Sequence, residues 1–150
     1  MVETVLAVLV VSAVFFGLFR LSRLLTGKIL LEHAAMRVAR ARAVGFNDFM
    51  CRKTARVSVI PVAGKRLWPD PDGDDPFGYA EELSRVRTYL ESPDEARARG
   101  LLEYEGWGRL GIDPGDGGQS VVTLPVEGVR LQGKAGIEDG ASYYMGGGSQ

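Results

Sequence analysis

The segment Met1–Phe19 is an almost unbroken apolar run that carries one charged side chain, Glu3. A helix of this length, at ~1.5 Å per residue, is just long enough to cross about 30 Å of hydrocarbon. Basic residues follow at Arg20, Arg23 and Lys28, so the purely apolar segment ends there. The pattern therefore predicts a helix that lies in a membrane or in an apolar bundle of helices.

Helical spacing of apolar residues continues beyond this run, but polar residues now share the pattern. No proline occurs between Leu21 and Arg56, and the alanines of this stretch are good helix formers. Its apolar positions, which lie among arginines, include Leu30, Ala34, Met36, Val38, Ala41 and Val44. This amphipathic pattern predicts one helix from Met1 to about Phe46, about 70 Å long, within a stem that covers residues 1–56.

The sequence pattern of the remaining residues, 57–150, predicts a small α+β head. The run Val57–Val62 has the composition of a strand, which Pro61 would end. The segments expected to form helices are Pro76–Leu90 and Ser92 to about Tyr104, the second opened by a capping box at Ser92-Pro93-Asp94-Glu95. The segments expected to form strands are Ser120–Pro125, Val129–Gln132 and Ala141–Met145, followed by a flexible glycine-rich tail at 146–150.

The charged residues are divided unevenly between these two parts. The length of 150 residues is consistent with one modest domain besides the stem. The net charge of the whole chain is −1. Residues 1–56 hold nine Lys and Arg against three acids, a net +6, whereas residues 57–150 hold nine against sixteen, a net −7. This division favours electrostatic pairing between stem and head, or between neighbouring copies. It does not favour nucleic acid, which a basic folded domain would bind.

Glu3 needs an explanation, because a carboxylate in hydrocarbon costs about 2.5–3.5 kcal/mol on insertion scales. No basic residue precedes it, and Arg20 lies ~25 Å further along a helix with a rise of ~1.5 Å per residue. We therefore expect the partner of Glu3 on another molecule; the alternative is a simple anchor with Glu3 among the lipid headgroups. Small side chains that would allow close approach of helix backbones lie at Ala7, Ser12, Ala13 and Gly17.

The sequence contains little that indicates catalysis. Its single histidine, His33, and its single cysteine, Cys51, both fall in segments with the character of packed helix. There is no phosphate-binding loop and no Gly-x-Ser-x-Gly elbow. We therefore expect a protein that is not an enzyme and that needs no cofactor.

One acidic loop alternates carboxylates in the manner of calcium ligands, at Asp70, Asp72, Asp74 and Asp75. The glycine and glutamate positions of an EF-hand are missing, and prolines stiffen the run, so a solvated loop is favoured over a calcium site. The same loop could receive Arg37, Arg40 or Arg42 from the stem of a neighbouring copy.

The N-terminal third of the chain resembles the TadE-like pilins, which belong to the tight-adherence branch of the type IV pilin superfamily. The residues that carry the resemblance are the string Met1-Val2-Glu3-Thr4-Val5-Leu6, the apolar run after it, and the Ala/Arg-rich continuation Leu30–Gly45. The likeness covers roughly residues 1–45 and does not extend beyond residue 56.

The resemblance implies a precursor whose short basic leader is removed by a prepilin peptidase on the cytoplasmic side. In that family a glutamate at the fifth position of the mature chain is thought to pair with the N-terminal amine of a neighbouring subunit, and Glu3 matches it. Because Glu3 is third here, we expect the mature chain to begin slightly ahead of Met1, or Met1 to be an internal residue. A cleaved leader would leave the stem in the inner membrane before assembly, with the head outside.

We therefore expect a structural subunit of an extracellular type IV pilus-like filament, a helical polymer of copies of this chain made by a pilus assembly machinery. The residues assigned to assembly are Glu3, Ala7, Ser12, Ala13, Gly17, Arg20, Arg23, Arg37, Arg40 and Arg42. Two alternatives stay open: a minor pseudopilin that primes or caps a filament, and a single-pass membrane anchor that presents a ligand-binding head.

Overall fold

A computed structural model of the chain describes residues 1–68, 79–114 and 119–136. A long N-terminal helix is followed by a small head of short helices and two small antiparallel sheets, so the predicted α+β class is confirmed. The elements in chain order are α1 (Val2–Ala43), α2 (Asp48–Ser58), a 3-10 turn (Ile60–Val62), β1 (Arg66–Trp68), α3 (Tyr79–Glu91), α4 (Glu95–Arg99), β2 (Glu103–Tyr104), a second 3-10 segment (Glu105–Arg109), β3 (Gly111–Asp113), β4 (Ser120–Val126) and β5 (Val129–Ala135).

Helix α1 is continuous over 42 residues, which corresponds to about 63 Å at ~1.5 Å per residue. It ends at Ala43, slightly before the predicted limit at Phe46. Gly45 takes a φ of 88°, and the amide of Phe46 donates to the carbonyl of Ala41 at 3.0 Å. A glycine in the left-handed region closes the helix in this way without the strain that a side chain would bring.

Helix α2 follows this turn and packs against α1. Its N-cap is Asn47, whose side-chain oxygen accepts a hydrogen bond from the amide of Met50 at 2.9 Å. Three of its buried residues, Cys51, Ala55 and Ser58, share one helical face, and Lys53 is buried as well. The predicted strand Val57–Val62 is therefore wrong, because its beginning completes α2 and Ile60–Val62 forms a 3-10 turn. Packing against α1 outweighs the weak strand preference of the β-branched residues.

Helix α3 covers Tyr79–Glu91, in agreement with most of the predicted helix. The predicted start of that helix, Pro76, lies outside the described residues.

Helix α4 is shorter than predicted and has a different cap. Its N-cap is Asp94, whose carboxylate accepts from the amide of Arg97 at 2.7 Å, so the prediction that Ser92 caps this helix is wrong. A carboxylate is favoured at this position because it also interacts with the positive end of the helix dipole. The expected continuation to Tyr104 is wrong as well, because the helix ends at Arg99 with Gly100 as its C-cap.

The larger sheet has the strand order β3-β4-β5, with both pairs antiparallel. Strands β4 and β5 confirm the two predicted strands that begin at Ser120 and Val129. They are joined by Glu127 and Gly128, which both take positive φ, 50° and 81°. Positive φ at both positions is typical of a type I′ turn, whose twist matches that of the two strands. The smaller sheet pairs β1 with β2.

The core lies between the second half of α1 and the larger sheet. Helix α1 contributes small and medium side chains to it: Leu31, Ala34, Ala35, Val38, Ala39 and Ala41 are buried. The backbone of β5 approaches α1 so closely that a Cβ on Gly133 would lie 2.2 Å from the carbonyl carbon of Leu31. The head is therefore built on α1 along one side, not joined only to its end.

Candidate functional site

The first half of α1 lies outside the head and exposes its apolar side chains. The large apolar residues before Arg20 are all at least 55 % exposed: Met1, Val2, Val5, Leu6, Val8, Leu9, Val10, Val11, Val14, Phe15, Phe16, Leu18 and Phe19. By contrast, burial in α1 begins near Gly27. A continuous apolar surface of this size on one chain marks a contact with lipid or with other protein.

The same helix is long and apolar enough to cross a membrane. It is the one helix among the described residues that meets this criterion, and none of the residues in its apolar window is buried. Length and composition thus make α1 compatible with a transmembrane helix that anchors the protein.

Glu3 lies in the first turn of α1 and is exposed. A carboxylate at this end is stabilised by the free N–H groups of the first helical turn and by the helix dipole. The small residues Ala7, Ala13 and Gly17 are also exposed, and a Cβ added at Gly17 would meet no atom within 4 Å. Ser12 is half-buried. All of these groups are on the part of α1 that the head leaves uncovered.

Two of the predicted assembly arginines contact the head of the same molecule. Arg23 Nη1 lies 2.9 Å from Glu127 Oε1, and Arg20 Nε lies 3.6 Å from Glu127 Oε2. Glu127 is placed there by the positive-φ turn between β4 and β5. This cluster of three charges stands at the boundary between the apolar half of α1 and the head.

A groove of about 660 Å³ lies beside this boundary. Its walls come from α1, the first 3-10 turn, the second 3-10 segment and the β4–β5 turn. Two ion pairs border it, since Arg109 and Glu105 lie 3.8 Å apart in addition to the pair of Arg23 with Glu127. The charges of the groove are thus balanced within one molecule.

The three arginines near the end of α1 have different surroundings. Arg37 and Arg40 are exposed and form no ion pair among the described residues. Arg42 is half-buried, and its guanidinium donates to Ser120 Oγ at 3.1 Å and to the carbonyl of Asp113 at 3.5 Å. Arg37 and Arg40 are therefore accessible to a partner molecule, whereas Arg42 connects α1 to the sheet.

Several predicted features lie outside the described residues. They are the acidic loop with Asp70, Asp72, Asp74 and Asp75, the strand Ala141–Met145 and the tail 146–150. Among the described ranges, no group of three or more His, Cys, Asp or Glu side chains could hold a metal ion. Cys51 is a buried free thiol, and burial raises its pKa.

Sequence reasoning missed a buried lysine, Lys53, which is 1 % exposed. Its Nζ donates to the carbonyl of Leu90 at 3.0 Å and to the carbonyl of Ser92, and it lies 4.7 Å from the ring centroid of Phe49. Burial lowers the pKa of Lys53, although the charge of Asp94 acts in the opposite direction. In the sequence Lys53 lies between Arg52 and Thr54, and this polar context gave no signal that its amine would cap the end of α3.

Comparison of the chain with protein-family models, with curated proteins and with solved structures finds no match in any of the three. A function for the chain therefore has to be proposed from its own sequence and geometry.

Proposed function

We propose that this protein is a structural subunit of an extracellular pilus-like filament, and that α1 holds it in a membrane before assembly. The observation that supports the proposal is the division of α1 into two halves. The half from Gly27 onward is built into the head, whereas the large apolar side chains before Arg20 are at least 55 % exposed. One helix thus combines a rigid attachment to the head with an uncovered apolar surface.

The hydrophobic effect makes this surface a strong site of association. At about 25 cal/mol per Å², burial of an apolar segment as long as Met1–Phe19 contributes tens of kcal/mol before the costs of association are subtracted. Lipid can cover the surface of a single chain. The corresponding helices of other copies can cover it in a bundle, with each head displayed on the outside.

Glu3 fits this proposal as the residue that sets the register of the bundle. Apolar contacts alone allow neighbouring helices to slide, since one apolar position resembles the next. A buried carboxylate is tolerated only where a cationic group meets it, and leaving it unpaired costs about 3–5 kcal/mol. Subunits that join the bundle in a different register would leave Glu3 unpaired, so one axial spacing between neighbouring helices is favoured.

The exposed cations of α1 provide a second complementary contact. Arg37 and Arg40 lie on the accessible side of α1, while residues 57–150 carry a net charge of −7. The stem of one copy therefore attracts the acidic head of another. Because both arginines are exposed, this contact contributes more to orientation and rate of association than to affinity.

The proposal is tested by replacing Glu3 in the full chain in its source cells. Glu3→Gln removes the charge and keeps the shape of the side chain. We expect sheared surface material to lose at least nine-tenths of its filaments in electron micrographs. The cationic group that pairs with Glu3 would be left unpaired in every subunit, at a cost of about 3–5 kcal/mol each. The membrane fraction should retain the variant in normal amount, since a neutral residue inserts more easily.

The matched control is Glu32→Gln, which changes the charge equally at an exposed position paired with Lys28 at 3.9 Å. Filaments of the control should equal those of the unmodified protein. Normal filaments in Glu3→Gln would refute the role of Glu3. A chain that stays monomeric in the membrane fraction, with no filaments even before substitution, would instead favour the anchored binding module.

A further inference from the structure

A second pocket, of about 490 Å³, lies in the head on the side of α2. It is lined by Arg52, Arg56, Tyr89, Arg99, Leu102, Glu103, Trp107, Gly108, Leu110 and Ile112. Its residues come from α2, α3, α4, β2, the second 3-10 segment, β3 and the loops that join them. None of them belongs to the exposed half of α1, so the pocket is not explained by the proposed assembly.

The pocket is rich in guanidinium groups. Arg52 and Arg56 are one turn apart on α2, so like charges lie on the same helical face, an arrangement that destabilises a helix. Arg52 is exposed and has no ion-pair partner among the described residues. Arg99 differs, because its Nη2 lies 3.2 Å from Glu95 Oε1.

Arg56 is half-buried and forms no ion pair in the described part of the chain. One of its nitrogens, Nη1, donates to the hydroxyl of Tyr89 at 3.3 Å, and its guanidinium carbon lies 5.9 Å from the ring centroid of Trp107. A guanidinium has five N–H donors. Among the described residues the bond to Tyr89 is the one hydrogen bond that the Arg56 guanidinium donates, so its other N–H groups have no protein acceptor there.

Trp107, one of the lining residues, has a buried donor without an acceptor. Trp107 is 5 % exposed, and its indole Nε1 forms no hydrogen bond among the described residues. Its ring is fixed by Tyr89 and Tyr104, with ring centroids 5.1 Å and 5.0 Å away. Buried donors are nearly always paired in folded proteins, so this one is an exception beside a cluster of cations.

We propose that this pocket binds a carboxylate, held by Arg52 and Arg56. The guanidinium fork matches the two oxygens of a carboxylate, and the aromatic floor that orients Arg56 reduces the entropy lost on binding. The half-buried Leu110 and Ile112 offer apolar contact to the methylene groups that accompany a carboxylate in a side chain.

The charge balance favours a carboxylate over phosphate. Three arginines line the pocket, Glu103 lines it as well, and Glu95 neutralises Arg99, so the site carries a net charge of +1. One carboxylate brings this charge to zero, whereas a phosphate dianion leaves an excess negative charge next to Glu103. The carboxylate can belong to a free small molecule or to an acidic side chain of a peptide, and both sources are tested.

The experiment uses the full chain in neutral detergent micelles with Trp68→Phe, which leaves Trp107 as the only tryptophan of the two in the chain. The probes are N-acetylglutamate amide and a capped hexaglutamate peptide, with N-acetylglutamine amide and inorganic phosphate as comparisons. We expect both glutamate probes to change the emission of Trp107 to saturation. The neutral glutamine probe should have no effect, and phosphate should bind at least tenfold more weakly.

The variant Arg52→Gln removes the charge of an exposed side chain, so folding should be preserved. It should raise the midpoint of the glutamate titration at least tenfold. Arg130→Gln makes the same change of charge at an exposed position of β5 outside the pocket and should leave the midpoint unchanged. Saturation by the peptide alone would assign the source to a protein partner, and saturation by both probes to carboxylates in general. Equal midpoints in the two variants, or equal binding of the glutamine probe, would overturn the proposal.

Discussion

Gly133 determines how closely β5 can approach α1. A Cβ at this position would lie 2.2 Å from both the carbonyl carbon and the carbonyl oxygen of Leu31. Both are backbone atoms of a long helix, so they cannot move aside as the end of a flexible side chain can. The requirement at Gly133 is thus one of space, and its φ is not in the left-handed region.

Gly133→Ala is expected to lower the free energy of unfolding of the head by about 1–3 kcal/mol or more, since overpacking forces the sheet and the helix apart. The measurement is urea unfolding followed by near-ultraviolet circular dichroism. Gly108→Ala is the control, because a Cβ there meets no atom within 4 Å. A Gly133→Ala protein as stable as the control would show that the sheet adapts without cost.

Lys53→Met tests the buried amine at the end of α3. The folded state lowers the pKa of Lys53 from 10.5, so the unfolded chain holds the proton to higher pH. The stability of the unmodified protein relative to Lys53→Met should therefore rise as the pH increases towards 10.5. Above this range the neutral amine still donates to the carbonyls of Leu90 and Ser92, and its loss should cost about 1–3 kcal/mol.

The measurement for Lys53 is the free energy of unfolding at several pH values, with Lys65→Met as the control at an exposed lysine. If the two lysine variants show the same pH profile, the burial of Lys53 does not control its proton affinity.

At the scale of elements, polar contacts connect α3 to β2 and α2. Tyr104 of β2 donates its hydroxyl hydrogen to Glu82 Oε1, and Lys53 of α2 binds the carbonyls at the end of the helix. Tyr89 adds an apolar contact in the core, where it is 1 % exposed. The loss of one of these contacts should therefore weaken the docking of the whole helix.

Tyr104→Phe is expected to destabilise the head at neutral pH by about 1–3 kcal/mol, because Glu82 loses its donor. Burial, the hydrogen bond to Glu82 and the charge of Glu82 together raise the pKa of Tyr104 well above its ordinary value of 10.0. The folded state thus keeps this proton longer than the unfolded chain, so its contribution to stability is present below pH 10.0 and is lost as the pH rises further.

The measurement for Tyr104 is the difference in phenolate absorbance between the unmodified protein and Tyr104→Phe during an alkaline titration. The step that Tyr104 contributes should lie above pH 10.0 and should move towards that value in Glu82→Gln. A step at the ordinary value in the unmodified protein would contradict the arrangement of β2 and α3.

The elements that the sequence predicts well are those with a strong local pattern. Helix α1 has helical spacing throughout with no proline, and β4 and β5 alternate around the turn signal at Glu127-Gly128. The prediction of a strand at Val57–Val62 is wrong because it rests on β-branched residues. Their preference for strands is weak and yields to packing against other elements. The first residues of this segment complete α2, which packs against α1, and the local sequence does not encode that contact.

The candidate site shows the same limit of sequence reasoning. The apolar run and Glu3 are evident from the sequence, because lipid or another helix imposes a simple pattern on them. The contact of Arg23 with Glu127 is not evident from the sequence, because these residues are far apart in the chain and meet only in the folded protein. The pocket around Arg56 joins six elements, so no short motif could indicate it.

For the whole molecule, α1 belongs to two environments at once. Leu31 and Val38 are fully buried in the head, and the burial of each contributes about 1.5–3 kcal/mol. Without them, Val122 and Leu124 of β4 would lose the helix that covers their side of the sheet. A domain of this size is stable by only about 5–15 kcal/mol, so the second half of α1 is required for folding.

Deletion of residues 1–19 should therefore give a soluble, folded head, whereas deletion of residues 1–36 should abolish folding. The first deletion keeps Arg20 and Arg23, which pair with Glu127, and every buried residue of α1. The second removes Leu31, Ala34 and Ala35 from the core.

Both proteins lack the apolar run, so their solubility does not depend on detergent and their thermal unfolding can be compared directly. A cooperative transition in the shorter protein at the same temperature would mean that the head folds without residues 20–36 of α1. If the longer protein remained in the membrane fraction, the apolar run would not be its anchor.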